Sequence, residues 1–204
     1  MTRRKSRSAF GSLLEIAVTV GIAIGLAFVV QAFLIKPYKI PTTSMVPTLD
    51  VGQRILVWRL DTHPHIGDIV VFHPPVDATF SGNQCGDPQQ GPGHAAPCDS
   101  HSASMSGQAF VKRVVGIAGD HLTIRDGHVF RNGVQERGRY IQPCPTPSVC
   151  TFSRSITVPA GEYYMMGDNR GISDDSRFWG PVPQRWIIGV AVATYWPLDR
   201  IGII

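Results

Sequence analysis

Apolar residues run almost unbroken from Leu13 to Ile35, with Glu15 as the single charged residue in the run. A helix of that length and composition can cross a bilayer, and Glu15 sits close enough to one end to reach the interface. Beyond Lys36 the pattern changes to short runs rich in Val, Ile and aromatics, at 55–58, 68–72, 110–115, 163–166 and 187–195, bounded by Gly, Pro or Asp. Such runs predict strands. Asp126-Gly127 separates 121–125 from 128–131, and Asn132-Gly133 follows at once. Both dipeptides favour the two-residue turn whose twist suits paired strands, so two tight hairpins are expected. With few long helical periods, the fold class expected is mainly β: an antiparallel sheet or barrel-like domain behind one N-terminal transmembrane helix. Residues 77–107 break the pattern. Pro, Gly, Ser, Gln and His dominate there, and so few apolar residues predict a flexible surface insertion with solvated histidines.

The division that follows is a basic segment at 1–12, an anchor at 13–35 and a β domain at 36–204. A chain of 204 residues has room for both an anchor and a domain with a real core. The formal net charge of +4 is mild, and Arg3, Arg4, Lys5 and Arg7 supply part of it. No basic stripe remains to argue for nucleic acid. Positive residues before the apolar run place the N-terminus in the cytoplasm and the domain outside. A cleaved export signal is the competing reading, but it has a shorter apolar core and small residues at its cut site, whereas Ile35-Lys36-Pro37-Tyr38 stands here.

Four cysteines fit an exported domain in an oxidising compartment. They allow three pairings, of which the local one, Cys85–Cys98 with Cys144–Cys150, closes short loops. Zinc is the alternative, through Cys85, His94, Cys98 and His101, but that spacing matches none of the common structural patterns. No metal and no cofactor are expected.

Three segments carry candidate chemistry. Ser44 lies in a turn-rich stretch between Pro41 and Pro47, just past the anchor. Residues of that kind also suit a simple turn. Lys112 lies in an apolar strand, where alternation puts Phe110, Lys112 and Val114 on one face and Val111, Arg113 and Val115 on the other. One basic residue therefore shares a face with large apolar neighbours, and burial lowers a lysine pKa towards that of a usable base. The third segment, Asp168 to Trp179, packs several charges between an apolar strand and Phe178-Trp179. A partly buried network of carboxylates and guanidiniums is at least as consistent with it as a free loop.

The order of these segments resembles the bacterial type I signal peptidases, Ser-Lys membrane proteases. The resemblance rests on Pro41-x-x-Ser44-Met45-x-Pro47-Thr48-Leu49, on Gly67-Asp68 through Phe72, on Lys112-Arg113-Val114-Val115-Gly116 through Gly119-Asp120, and on Gly167-Asp168-Asn169-Arg170 through Ser173-x-Asp175-Ser176-Arg177-x-Trp179-Gly180. It covers the anchor and all of the domain except the insertion. It implies Ser44 as nucleophile, Lys112 as general base, and an oxyanion hole made by the Thr42 hydroxyl and the Ser44 backbone N–H. It further implies that Ser173 orients the lysine, that Asp175 and Arg177 support Ser173, and that Ile40, Met45, Leu49, Phe110 and Val111 line pockets for small side chains. The Cys144/Cys150 pair lies where some members carry a disulfide. Partners implied are signal peptides of exported pre-proteins, the lipid bilayer and the export machinery, with cleavage after Ala-x-Ala-type sequences at the cell membrane. Departures from the pattern are Thr42-Thr43, Gln53 in place of an aspartate, Ala118 in place of a proline, and Gly171-Ile172 in place of a polar pair.

Rival functions fit the residues less well. A histidine-dependent serine hydrolase lacks a Gly-x-Ser-x-Gly elbow, and no His-Glu-x-x-His supports a zinc protease. A Ser-x-x-Lys enzyme of the penicillin-recognising kind fails because Met-Val-Pro follows Ser44. A non-catalytic anchored β domain that adds extended peptides to a sheet edge would share the strands and the apolar groove, but has no use for a lysine beside a hydroxyl.

Overall fold

A computed structural model describes residues 9–204 apart from 77, 79–83, 103, 143 and 146–148. The basic residues at 3–7 lie outside the described part. Two compact units divide the chain, Met1–Lys36 and Pro37–Ile204.

The first unit is built on helix α1, Ala9–Phe33, whose 25 residues give a rod about 37 Å long. Its stretch Gly11–Val30 has a mean hydropathy of 2.5 and is long and apolar enough to cross a membrane. Thr19 donates its hydroxyl to the Glu15 carbonyl 2.8 Å away, so that polar group is satisfied inside the helix. The helix ends two residues earlier than expected, because Ile35 already belongs to strand β1, Ile35–Lys39. Pro37 accounts for this, since the residue before a proline is pushed out of the helical region.

The second unit is mainly antiparallel β, as the strand signals predicted. Its larger sheet contains β1, β2 (Arg54–Trp58), β3 (Ile69–Phe72), β4 (Phe110–Ile117), β9 (Glu162–Met166), β10 (Val182–Pro183), β11 (Ile187–Trp196) and β12 (Gly202–Ile203). The order is β1-β2-β11-β3-β4-β9-β10, with β12 also paired to β11. Register shifts in β11 at Ile187/Gly189, Ala191/Ala193 and Thr194/Trp196 bend this long strand and curl the sheet. A smaller sheet holds β5 (His121–Arg125), β6 (His128–Arg131), β7 (Val134–Gln135) and β8 (Ile156–Thr157), in the order β7-β6-β5-β8. Both predicted hairpins are there. Asp126 and Gly127 have φ of 50° and 79°, and Asn132 and Gly133 have 52° and 82°. Positive φ at both central positions is what the Asp-Gly and Asn-Gly pairs make cheap.

β3 explains how the core is divided. Alternation sends Val70 and Phe72 into a cluster with Val114, Met165, Trp179 and Trp186, and sends Ile69 and Val71 into another with Ile40, Met45, Leu49 and Ile55. All four β3 residues are buried, so this central strand is covered on both faces. β4 pairs with it at Val70↔Lys112 and Ile69↔Arg113 and is likewise covered on both sides. The strand alternation predicted one buried basic residue. Two are present, Lys112 and Arg113, pointing into opposite layers.

The described residues of the 77–107 segment are tied to the rest of the β unit. Its ends are zipped together by Val76 N–H to Ser104 O (2.9 Å) and Ser106 N–H to Pro74 O (2.8 Å). Cys85 and Cys98 are bonded to each other, and Cys98 is fully buried. The Cys98 N–H donates to Arg177 O at 3.3 Å, and Gly180 (φ 87°) lets Ser100 approach so closely that a Cβ would meet its carbonyl oxygen at 2.5 Å. Nor is every histidine solvated: His101 lies edge-on to Trp186 and hydrogen-bonds Glu162 at 3.1 Å. In its described part a crosslink and backbone hydrogen bonds to Arg177 and Arg154 add to the few apolar contacts that its composition allows.

Candidate active site

Ser44 sits in a one-turn 3-10 helix, Thr43–Met45, immediately after β1. Met45 and Leu49 fix this turn by burying their side chains in the core. The Leu49 N–H donates to Met45 O at 2.9 Å, and the Asn169 N–H donates to Ser44 O at 3.0 Å. Ser44 is therefore tied at its own carbonyl to the loop that follows β9. Its hydroxyl lies 3.2 Å from that of Thr42, and either oxygen can donate. Gln53, in place of an aspartate, still does what a carboxylate would do there: its side-chain oxygen accepts the Asp50 N–H at 2.6 Å.

Lys112 is 4% exposed, on the face of β4 that carries the Trp179 cluster. Burial brings its amine from 10.5 down to about 8, although Asp175 and Asp174 pull it upward; Arg177 lowers it further. An ammonium ion is poorly solvated in such a place, and that is the physical origin of the shift. Among the described residues no hydrogen bond to the Lys112 side chain is seen, and its Nζ lies 5.9 Å from the centroid of the Phe110 ring.

Three buried ion pairs hold the surroundings. Arg113 grips Asp168 with a fork, Nε to Oδ1 at 2.8 Å and Nη2 to Oδ2 at 2.7 Å, and donates to Gly67 O at 2.6 Å. Thr48, in the turn after Ser44, donates to the same Asp168 carboxylate. Asp168 thus joins β4 to the serine turn. Arg177 grips Asp175 in the same fashion, at 2.8 and 2.9 Å, and its remaining N–H groups reach the carbonyls of Arg170, Ser173 and Val149. Burial pushes the Asp175 carboxyl up, but the charge and hydrogen bonds of Arg177 outweigh it and hold the group below its usual value. Arg170 pairs with Glu136 and donates to Gly127 O at the hairpin tip, so the small sheet is fastened to the same loop.

A cleft of about 730 Å³ opens on this assembly, and its lining includes Thr42, Ser44 and Lys112. Of the five expected pocket residues, Ile40, Met45, Phe110 and Val111 line it. Leu49 does not: it is 1% exposed and packs in the core with Ile55 and Val57. Leu49 lies one turn past Met45, on the same inward face. Ser173, Asp175 and Arg177 stand behind the cleft. The Ser173 oxygen is buried with no hydrogen-bond partner, so the bond to the lysine amine that the resemblance implies is not formed here. Gly167 separates Ser173 from the serine turn: a Cβ there would meet Ser173 Oγ at 2.2 Å and Ser44 O at 2.5 Å. The structure pairs Cys144 with Cys150 as well as Cys85 with Cys98. Cys85 and Cys98 are thereby committed to each other, which leaves His94 and His101 without the thiolates that the zinc reading needs.

Asp174 was missed. It is 6% exposed and lines the cleft with Lys112, and both of its carboxylate oxygens are buried with no close hydrogen-bond partner among the described residues, the Trp179 indole N–H acting only as a weak donor. Nothing in a run of Ser-Asp-Asp-Ser says which aspartate an arginine will take.

Comparison with known proteins bears on the whole chain. Residues 13–196 match the family model described as "Signal peptidase, peptidase S26". Signal peptidase I of Leptolyngbya laminosa is 36% identical over 193 residues, covering 93% of this chain and 83% of that protein. Probable signal peptidase I-1 of a Synechocystis strain is 34% identical over 184 residues, covering 89% and 81%. A crystal structure of a signal peptidase I from Enterococcus faecalis is 26% identical and aligns with a TM-score of 0.39, over 62% of this chain and 95% of that one. A family model that spans the anchor and the β domain together, with relatives aligned over most of their own length, leaves one assignment: the chain belongs to the signal peptidase family, peptidase S26.

Proposed function

We propose that this protein is a membrane-anchored serine endopeptidase that removes signal peptides from exported pre-proteins, with Ser44 as nucleophile and Lys112 as general base. The observation that carries the reading is a buried lysine, its amine near pKa 8, lining one cleft with a serine hydroxyl. A peptide-binding domain without catalysis would have no reason to bear the cost of burying that amine.

In the first step Ser44 Oγ forms a bond to the scissile carbonyl carbon while its proton passes to the neutral Lys112 amine. The carbonyl oxygen becomes an oxyanion, towards which the Thr42 hydroxyl and the Ser44 N–H can donate. The C–N bond then breaks, and the Lys112 ammonium gives its proton to the leaving amine, leaving the signal peptide as an ester on Ser44. Lys112, neutral again, takes a proton from the water that attacks the ester carbonyl; the bond to Ser44 Oγ then breaks, and that oxygen takes the proton back from Lys112 as the signal peptide leaves. Only the neutral amine can start this cycle, so the rate rises with pH through about 8. The apolar walls from Ile40, Met45, Phe110 and Val111 suit small side chains of the Ala-x-Ala kind. The buried Ser173 hydroxyl is the candidate for orienting the amine, since an unpaired buried donor gains most from a new partner. The basic residues at 3–7 put the N-terminus in the cytoplasm and the β domain outside, where the bilayer and the export machinery are its neighbours.

The test is processing of a pre-protein in vitro, with the cut site read by mass spectrometry. Wild type cuts after a small residue, while Ser44→Ala and Lys112→Ala leave the precursor intact yet fold. Near-normal processing by either variant would end the proposal.

A further inference from the structure

The charges around the cleft do not pair off evenly by hydrogen bonding. Asp168 is held by Arg113, Asp175 by Arg177 and Glu136 by Arg170, each through a fork or a direct ion pair. Asp174 has no arginine. Its two carboxylate oxygens are buried with no close hydrogen-bond partner among the described residues, and the Trp179 indole N–H beside it acts on the carboxylate only as a weak donor. Lys112 lines the same cleft with no side-chain hydrogen bond among the described residues, and the two residues act on each other through their charges. A bare carboxylate is expensive to bury, and a cation close by is what makes it tolerable.

We propose that Asp174 is a positioning residue for proteolysis: its carboxylate, lining the cleft, is the counter-charge that stabilises the Lys112 ammonium formed when Ser44 gives up its proton. The inference rests on Lys112 being the general base. In the resting enzyme above pH 8 the amine is neutral and the carboxylate ionised. Proton transfer from Ser44 Oγ to Lys112 Nζ then creates a positive charge beside a negative one already in place. That interaction is stronger in the transition state than in the ground state, which is the condition for it to raise kcat. The other charges bearing on Lys112 are those of Asp175, Arg177 and Asp168, but each is engaged in its own ion pair. Those bearing on Asp174 are Asp175, Lys112 and Arg177, with the Trp179 indole N–H a minor one; burial and Asp175 push its carboxyl up to about 6, so it is ionised throughout the working range.

The experiment compares pH–rate profiles of the full-length wild type, Asp174→Asn, Asp174→Glu and Lys112→Ala on one pre-protein. With the carboxylate gone, the Lys112 amine becomes a weaker base: the midpoint of the D174N profile moves down by about 1 pH unit and its alkaline plateau falls several-fold. KM stays within about twofold, and D174E, which keeps the charge, restores the wild-type midpoint. Asp174→Ser reads the same question if D174N is not recovered folded. A D174N profile with the wild-type midpoint, or a change confined to KM or to the cut site, overturns the role of Asp174 while leaving Lys112 in place. Activity in K112A instead overturns the reading beneath it, so the two failures are distinguishable.

Discussion

At the scale of single residues, two positions were legible because their chemistry conflicts with their surroundings. A lysine between Val111 and Arg113 in an apolar strand, and a serine in a Pro-bounded turn, each ask for an explanation, and the fold brings both to one cleft. Asp174 and Leu49 were not legible. Which of two adjacent aspartates meets an arginine depends on the turn leading into helix α2, Ser176–Trp179, where Asp175 caps the helix by accepting the Arg177 N–H. Leu49 shares the apolar character of a pocket residue, and only the path of the turn buries it. Gly167 offers a sharp test at this scale. Its backbone is not in the left-handed region, so Gly167→Ala acts purely by contact, pressing on Ser173 Oγ and Ser44 O together. A displacement of about 1 Å at a nucleophile costs on the order of 100-fold in rate. We expect kcat to fall by that order with a clear loss of activity before any large loss of thermal stability, measured by processing kinetics beside a thermal melt.

At the scale of elements, the site is a junction where β4, the serine turn and the loop after β9 are fastened by arginines. Hydrophobic periodicity found the strands and the Asp-Gly and Asn-Gly pairs found the turns, because both signals are local. The ion pairs are not local: Arg113 and Asp168 lie 55 residues apart, and Arg170 and Glu136 lie 34 apart. Sequence shows that such charges are there, but not whom they meet. Arg177→Ala leaves Asp175 fully buried without its cation, and loss of one partner of a buried pair costs about 3–5 kcal/mol. The expected outcome is a large drop in denaturation midpoint together with loss of activity. Arg177→Ala with near-wild-type stability would show that the fork is not what holds the loop.

At the scale of the whole molecule, one apolar helix and one β unit divide the work between location and chemistry. The helix is readable from length and hydropathy alone, whereas the described residues at 77–107 are held by a disulfide and backbone contacts, neither of which composition reports. Full-length protein is expected to stay with the membrane pellet after alkaline carbonate extraction, and a chain lacking residues 1–35 to leave it. Release of the intact chain would show that α1 does not anchor it.

The account depends most on the state of one amine. The sequence has four lysines, so protein labelled with 13C at lysine Cε gives four signals, and the one missing from Lys112→Met identifies the buried residue. Its titration is predicted to have a midpoint near 8, matching the rise of kcat/KM with pH. A midpoint at or above the ordinary lysine value, with activity still rising at neutral pH, would contradict a lysine base.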